Sequence, residues 1–348
     1  TNTICQGDTR NTGLKWICEN DGLIFSARKR FQWPGQAAVI VSIIHIIKGS
    51  YIGKKYLNLN EVKNITSFLL TSGSNEDPRV LPKNTGKSFQ GSILLGMGFT
   101  FCDSNNSSLD IEGTPTPIKV MKDLLLTNQK NDEIISPYIG GEEVNNDPFH
   151  KHHRYAINLG ELSLAESKKN WPEIISLLEK KVKPERLKKS EDVKKYPWWQ
   201  HWRPRNELYN SINGLEKVLV TNAQASTQFA ITFLPSNSIF ANSLNIFPFD
   251  SFVIFSILQS RIHEEFARYI CSSLKDDLRY NPTDCFETFP FPLELSLKND
   301  SQKSSSEEKL NKIGAEYFEL RSKVMIDNKQ GLTAIYKRFN DPFEEDQM

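Results

Sequence analysis

Residues 22–48 read GLIFSARKRFQWPGQAAVIVSIIHIIK, and the fold assignment turns on how this stretch divides. Leu23-Ile24-Phe25 opens one strand-like run, Ala38-Val39-Ile40-Val41-Ser42-Ile43-Ile44 forms a second, and Trp33-Pro34-Gly35 supplies the turn between them. The division predicts an antiparallel pair over residues 22–31 and 37–48. The second run is almost continuously apolar, which suits a strand covered on both faces near the centre of an α/β sheet. Yet no strand-helix repeat precedes it to complete such a sheet.

Working outward, the chain turns polar after Lys48-Gly49. An amphipathic stretch from Leu59 to Leu70 leads into Thr71-Ser72-Gly73-Ser74-Asn75 and Pro78, which places a junction over residues 51–85. From Ser88 to Phe101, glycines 91, 96 and 98 punctuate Ile93, Leu94, Leu95, Phe99 and Phe101, as where strands bend or backbones approach closely. Between 118 and 235, helical segments (Ile118 to Leu126, Trp171 to Val182, Glu207 to Ile212) alternate with strand-like ones (Tyr155 to Leu159, Val218 to Thr221, Gln228 to Phe233). Phe252, Phe255, Leu258, Ile262, Phe266 and Ile270 recur every three or four residues, predicting one long helix over 251–273. Asn299 to Glu308 reads as a solvated linker before helices at Lys309 to Met325 and Leu332 to Phe339. The prediction is an α+β protein, a mixed sheet or partial barrel with packed helices and a C-terminal helical segment. Its parts are residues 1–50, a 51–85 linker, a main domain over 86–298, and 299–348.

The chain has 348 residues, 43 Lys plus Arg against 42 Asp plus Glu, 38% hydrophobic residues and 21 Phe. Such a chain is long enough to bury a core, and its balanced charge excludes whole-molecule attraction to nucleic acid, so any basic surface must be local. Five widely spaced cysteines (5, 18, 102, 271 and 285) without C-x-x-C argue against a disulfide framework or zinc ribbon and favour the reducing cytoplasm. The longest apolar run, Ala37 to Ile47, is too short to span a bilayer, so no membrane partner is expected. Thr1 stands where an intact chain would carry Met, and no leader follows, so a longer parent with residues upstream is expected.

Charge does concentrate locally. Glu179 to Arg205 holds ten Lys or Arg against four acids, with Trp198, Trp199 and Trp202 interleaved. Cations that neutralise phosphates, beside rings that stack or wedge, suit nucleic-acid contact. The candidates are Lys181, Lys183, Arg186, Lys188, Lys189, Lys194, Lys195, Trp199, His201, Trp202, Arg203 and Arg205. Pro204 holds Arg203 and Arg205 on an extended backbone, where two guanidiniums could reach guanine or phosphate. The competing reading makes the lysines a solvated face, the tryptophans core anchors and the arginines salt-bridge partners. On that reading the chain is a protein-interaction scaffold that uses its aromatic and proline-rich loops. Phe286-Glu287-Thr288-Phe289-Pro290-Phe291-Pro292 reads as a rigid structural loop.

Other chemistry is not visible. His150, His152, His153 and Asp147 lack the remote ligands of a metal site. His263-Glu264-Glu265 has no second histidine four residues on and reads as helix surface. There is no G-x-G-x-x-G, Walker lysine motif or nucleophile elbow, so no catalytic residue is assigned. Asn146-Asp147-Pro148-Phe149 and Asn340-Asp341-Pro342-Phe343 each lack one proline of an Asn-Pro-Pro-aromatic motif and read as turns.

Several segments nevertheless fall in a shared order. They are Gln6-Gly7-Asp8-Thr9-Arg10 with Gly13-Leu14, Trp33-Pro34-Gly35-Gln36-Ala37-Ala38-Val39, Pro137-Tyr138-Ile139-Gly140-Gly141-Glu142-Glu143, Val182-Lys183-Pro184-Glu185-Arg186, Trp198-Trp199 with Arg203-Pro204-Arg205 through Leu208-Tyr209, Phe286-Glu287-Thr288-Phe289-Pro290, and Gly331-Leu332-Thr333 through Asp341-Pro342. In that order they resemble the C-terminal target-recognition part of class I DNA adenine-N6 methyltransferases of the Eco57I-like, type IIG restriction-modification kind. The resemblance implies that residues 1–50 are two late strands of an α/β methyltransferase core and that the remainder is a specificity region. It implies double-stranded DNA as partner, with the upstream methyltransferase domain of the same protein as a second. S-adenosylmethionine would be bound by the parent enzyme and not by this part, which would be catalytically inactive alone. By the same analogy, Phe31 and Trp33 would border the pocket of an extruded base.

Overall fold

The computed structural model describes residues 2–36, 39–271, 273–274, 277–292 and 304–344. It divides into two compact units, each with its own sheet and core. The first comprises the described residues of 1–85, 224–229 and 260–297; the second those of 86–223, 230–259 and 298–348.

In the first unit, β1 (Gly22–Gln32) runs antiparallel to β2 (Ile40–Lys48), with Gly22 opposite Lys48 and Gln32 opposite Ile40. The hairpin expected from the Trp-Pro-Gly turn therefore forms, with Ala37 and Ala38 outside the described residues. Two short strands follow, β3 (Lys55–Leu57) and β4 (Asn60–Val62), in the order β2-β1-β3-β4. The expectation of a central, doubly covered β2 is overturned: among the described residues it is an edge strand with no fully buried position, and Val39 and Ile46 are exposed. An uninterrupted apolar run cannot distinguish a strand covered on both faces from an edge strand, since both call for β-branched residues. The stretch 51–85 is folded, because Ile65 and Leu69 close a core with Cys5, Leu14, Ile24 and Ala27.

The same unit contains the helix Arg261–Ile270, capped by the Ser260 hydroxyl on the His263 amide. The single helix expected over 251–273 is thus two, Phe252–Leu258 and Arg261–Ile270. Gln259 still has helical backbone, but Ser260 adopts an extended conformation that starts a new helix, a cap signal overlooked within the apolar period. His263 is buried rather than on the helix surface, with Nε2 3.0 Å from the Tyr280 hydroxyl, whereas Glu264 and Glu265 do face outward toward Arg261. Cys271 and Cys285, expected to be free, form a disulfide across 14 residues. Phe286 and Phe289 of the proline-rich loop are buried, as read from sequence.

The second unit holds two four-stranded sheets and no closed barrel among its described residues. One runs β10-β9-β12-β5, from Ile231–Pro235, Lys217–Asn222, Leu244–Phe247 and Phe89–Gln90. The other runs β11-β7-β8-β6, from Ile239–Phe240, Ile135–Ile139, Arg154–Ile157 and Thr100–Phe101. Helix Pro172–Lys181 opens on a proline, where no amide is missed, and lays Ile174, Ile175, Leu177 and Leu178 into the core with Phe99, Phe101 and Ile157. Each such apolar side chain contributes about 1.5–3 kcal/mol. Helix Ser305–Asn328 begins four residues before the expected Lys309, because Ser304 and Glu307 form a capping box, so Ser305 to Glu308 are its first turn and not linker. Leu332–Phe339 forms as expected. No described helix is long and apolar enough to cross a membrane.

Candidate nucleic-acid interface

Three of the twelve candidates in the basic segment turn inward, which corrects their reading as surface groups. Helical period decides the first. Lys181 stands three residues after Leu178 and seven after Ile174, on the buried stripe of its helix. Its ammonium donates to Ile111 O and Thr114 Oγ1 at 2.8 Å each, and to Ser108 O, so all three protons are used on oxygens and none on a carboxylate. Gly98 sits against it: a Cβ there would lie 2.8 Å from that of Lys181, so only glycine allows this approach.

Arg186 follows Val182 by four residues and is likewise enclosed, donating to Gln200 O at 2.6 Å and Leu94 O at 3.1 Å. Burial lowers its pKa to about 10, which leaves it charged at neutral pH. His201 donates from Nε2 to Ile157 O at 2.8 Å and meets the edge of Phe99. Burial pulls its pKa to about 4, so it is a neutral core residue. These three groups tie the segment to the 108–114 loop, to Leu94, to strand β8 and, through Gln200, to itself.

The rings lie between core and solvent. Trp199 is half-buried and donates its indole proton to Leu162 O at 2.9 Å, and Trp198 packs edge-on against it. Both anchor the segment, as the competing reading held. Trp202 is half-buried beneath the Arg203 guanidinium, which lies 4.6 Å from its ring centre. The exposed Arg203 also contacts the Tyr196 ring and hydroxyl, and Lys183 stands 5.2 Å over Trp198.

Local acids reduce the remaining charge. Lys189 pairs with Glu185, Lys194 with Glu191, Lys195 with Asp192, Lys188 with Glu112, and Lys168 with Glu179. Such exposed pairs are worth about 0–1 kcal/mol and exchange readily for phosphate. Among the described residues, Lys180, Lys183, Arg203 and Arg205 have no carboxylate partner. Lys180, which the sequence reading did not select, belongs with them.

Phe31 and Trp33 belong to the first unit. Arg28 stacks 4.1 Å over Phe31, while Trp33, 48% exposed, closes the hairpin through its amide to Val39 O at 2.9 Å. No group of three metal-binding side chains occurs among the described residues. Asp147 accepts from the Phe149 and Lys151 amides and Asp341 from the Phe343 amide, so both Asn-Asp-Pro-Phe sequences are turns.

Comparison with known proteins points the same way. Residues 116–293, just over half of the chain, match the family described as MmeI, target recognition domain. DNA methyltransferase A of Bacillus subtilis (strain 168) is 25% identical over 313 residues, 87% of this chain and 33% of that protein. The solved type IIL restriction-modification enzyme MmeI, in complex with DNA, shares the fold with a TM-score of 0.69 and 18% identity, over 99% of this chain and 44% of that one. The chain therefore spans less than half the length of these relatives.

Proposed function

Because this chain belongs to the MmeI target-recognition-domain family, we propose that it binds double-stranded DNA sequence-specifically as the recognition part of a restriction-modification methyltransferase. One observation carries the reading. Four cations without carboxylate partners, Lys180 and Arg203 exposed and Lys183 and Arg205 half-buried, belong to a segment fixed from within by Lys181, Arg186 and His201. A site held rigidly from beneath presents charge to a duplex without ordering it on binding.

In this reading Lys183 and Arg203 contact phosphates, joined by Lys188, Lys189, Lys194 and Lys195 as their surface pairs exchange. Chemistry and S-adenosylmethionine belong to a methyltransferase domain upstream, since this sequence carries neither a cofactor loop nor an Asn-Pro-Pro-aromatic motif. The exposed edge of β2 supports such a neighbour: added strands would pair with it and cover Val39 and Ile46. Trp33, half exposed at the hairpin turn, and Phe31 would border an extruded base in this reading. The setting is the bacterial cytoplasm, where DNA is modified.

Filter binding of a duplex pool across salt concentrations tests the proposal. Log affinity should fall linearly with log salt, with a slope reporting several phosphate contacts. A chain that retains no duplex at low salt would instead support a scaffold role.

A further inference from the structure

Arg205 departs from what its position asks for. Its backbone is left-handed, at φ 62° and ψ 50°, a conformation that glycine and asparagine adopt easily and a long side chain does not. It is also the residue before helix Asn206–Ile212, where Ser, Thr, Asp or Asn would cap, and its side chain makes no capping bond. Local stability therefore does not explain an arginine here, and strain of this kind is kept where a side chain has another task.

The surroundings hold that side chain in one place. Arg203 and Ile93 exchange backbone hydrogen bonds at 3.1 Å each, and the buried Ser92 hydroxyl donates to Pro204 O at 2.9 Å and meets the Tyr209 hydroxyl at 3.0 Å. On this platform Arg205 donates from Nη2 to Oε1 of Gln90 at 3.3 Å. Gln90 is exposed on the edge strand β5, and its amide nitrogen is tied to Asn242 O at 3.0 Å. Among the described residues no carboxylate pairs with Arg205. The Arg205 Nε is buried without a partner, so the guanidinium keeps its charge and its remaining Nη donors for a ligand, and a planar pair of Nη donors matches the O6 and N7 acceptors of guanine in the major groove.

We propose that Arg205, braced by Gln90, reads a guanine edge in the major groove, separately from the phosphate contacts of the neighbouring cations. The inference rests on the DNA-binding reading above and goes further by assigning base readout to one side chain. Gln90 is a positioning residue, acting through Arg205.

The test is selection from a randomised duplex pool by the 348-residue chain, followed by sequencing. The wild-type chain enriches a motif containing guanine. R205K, which keeps the charge and loses the fork, flattens the preference at that guanine, and R205A weakens binding to the selected duplex about ten- to one-hundred-fold. Q90A relaxes the same position to a lesser degree. R205G removes the preference while its thermal midpoint stays level or rises, because glycine relieves the backbone; a purely structural arginine would lower it. A wild-type chain that retains no duplex overturns both the DNA-binding reading and the fork. A motif selected unchanged by R205K overturns the fork alone.

Discussion

Two sets of basic residues share the same short segment and have opposite fates. Lys181 and Arg186 are enclosed and donate to backbone and hydroxyl oxygens, while the exposed Arg203 and the half-buried Lys183 and Arg205 lie over rings and an amide. Residue type does not separate them; position relative to a helical stripe does. Counting charge in a sequence therefore overstates the charge a partner meets, and the inner cations matter for holding the outer ones still.

The largest effects should come from the inner set. Lys181→Met or Arg186→Met leaves buried oxygens without donors and should cost about 1–3 kcal/mol for each acceptor orphaned, read in urea unfolding. A loss below about 1 kcal/mol would erase the difference between inner and outer cations. Acid should find the same interior. His150 and His201, both held neutral with pKa values near 4 by burial, must take up protons on unfolding at lower pH. Their folded pKa values lie below the unfolded value of about 6.5, so stability falls as pH drops from 6.5 to 4, by about 3 kcal/mol for each. His201→Gln can still donate to Ile157 O and should flatten the pH dependence by one proton; an unaltered slope would mean that His201 is not neutral inside.

The outer set should respond in binding instead. Arg203→Ala should weaken binding to all duplexes alike and lower the salt slope by about one, with an unfolding midpoint close to that of the parent. A large stability loss without a binding change would move Arg203 to the inner class. Smallest of all, Lys194→Ala and Lys195→Ala should each change stability by less than about 0.5 kcal/mol, and a substitution that removes a phosphate contact should lower the salt slope by about one. A slope that does not move puts that lysine outside the DNA-facing area.

Much of this was legible in the chain. The hairpin at 22–48 followed from two strand-like apolar runs about a Pro-Gly turn, and the helices at 118, 172, 206 and 332 were read as helical segments near their observed bounds. The burial of Lys181 was legible too, at i+3 and i+7 of the stripe, but its charge masked the pattern. Arg186 depended on Leu94 O and His201 on Ile157 O, partners 92 and 44 residues away, which no local window contains. Arg205 was chosen for its chemistry, and its left-handed backbone has no signal in the letters Arg-Pro-Arg. The Cys271–Cys285 bond likewise follows from a 6.3 Å approach of two Cα atoms that sequence spacing cannot supply.

The open border of β2 also has a bearing on handling. Its outward row of amides and carbonyls runs beside Ile43, Ile44 and Ile47, with neither a proline nor a lysine between Ile40 and Ile47 to blunt it. A second molecule can pair there in antiparallel register, so this polypeptide kept alone at high concentration should self-associate through residues 40–48. Introducing a lysine at Ile46, which already faces solvent, would be the smallest change that keeps preparations monodisperse.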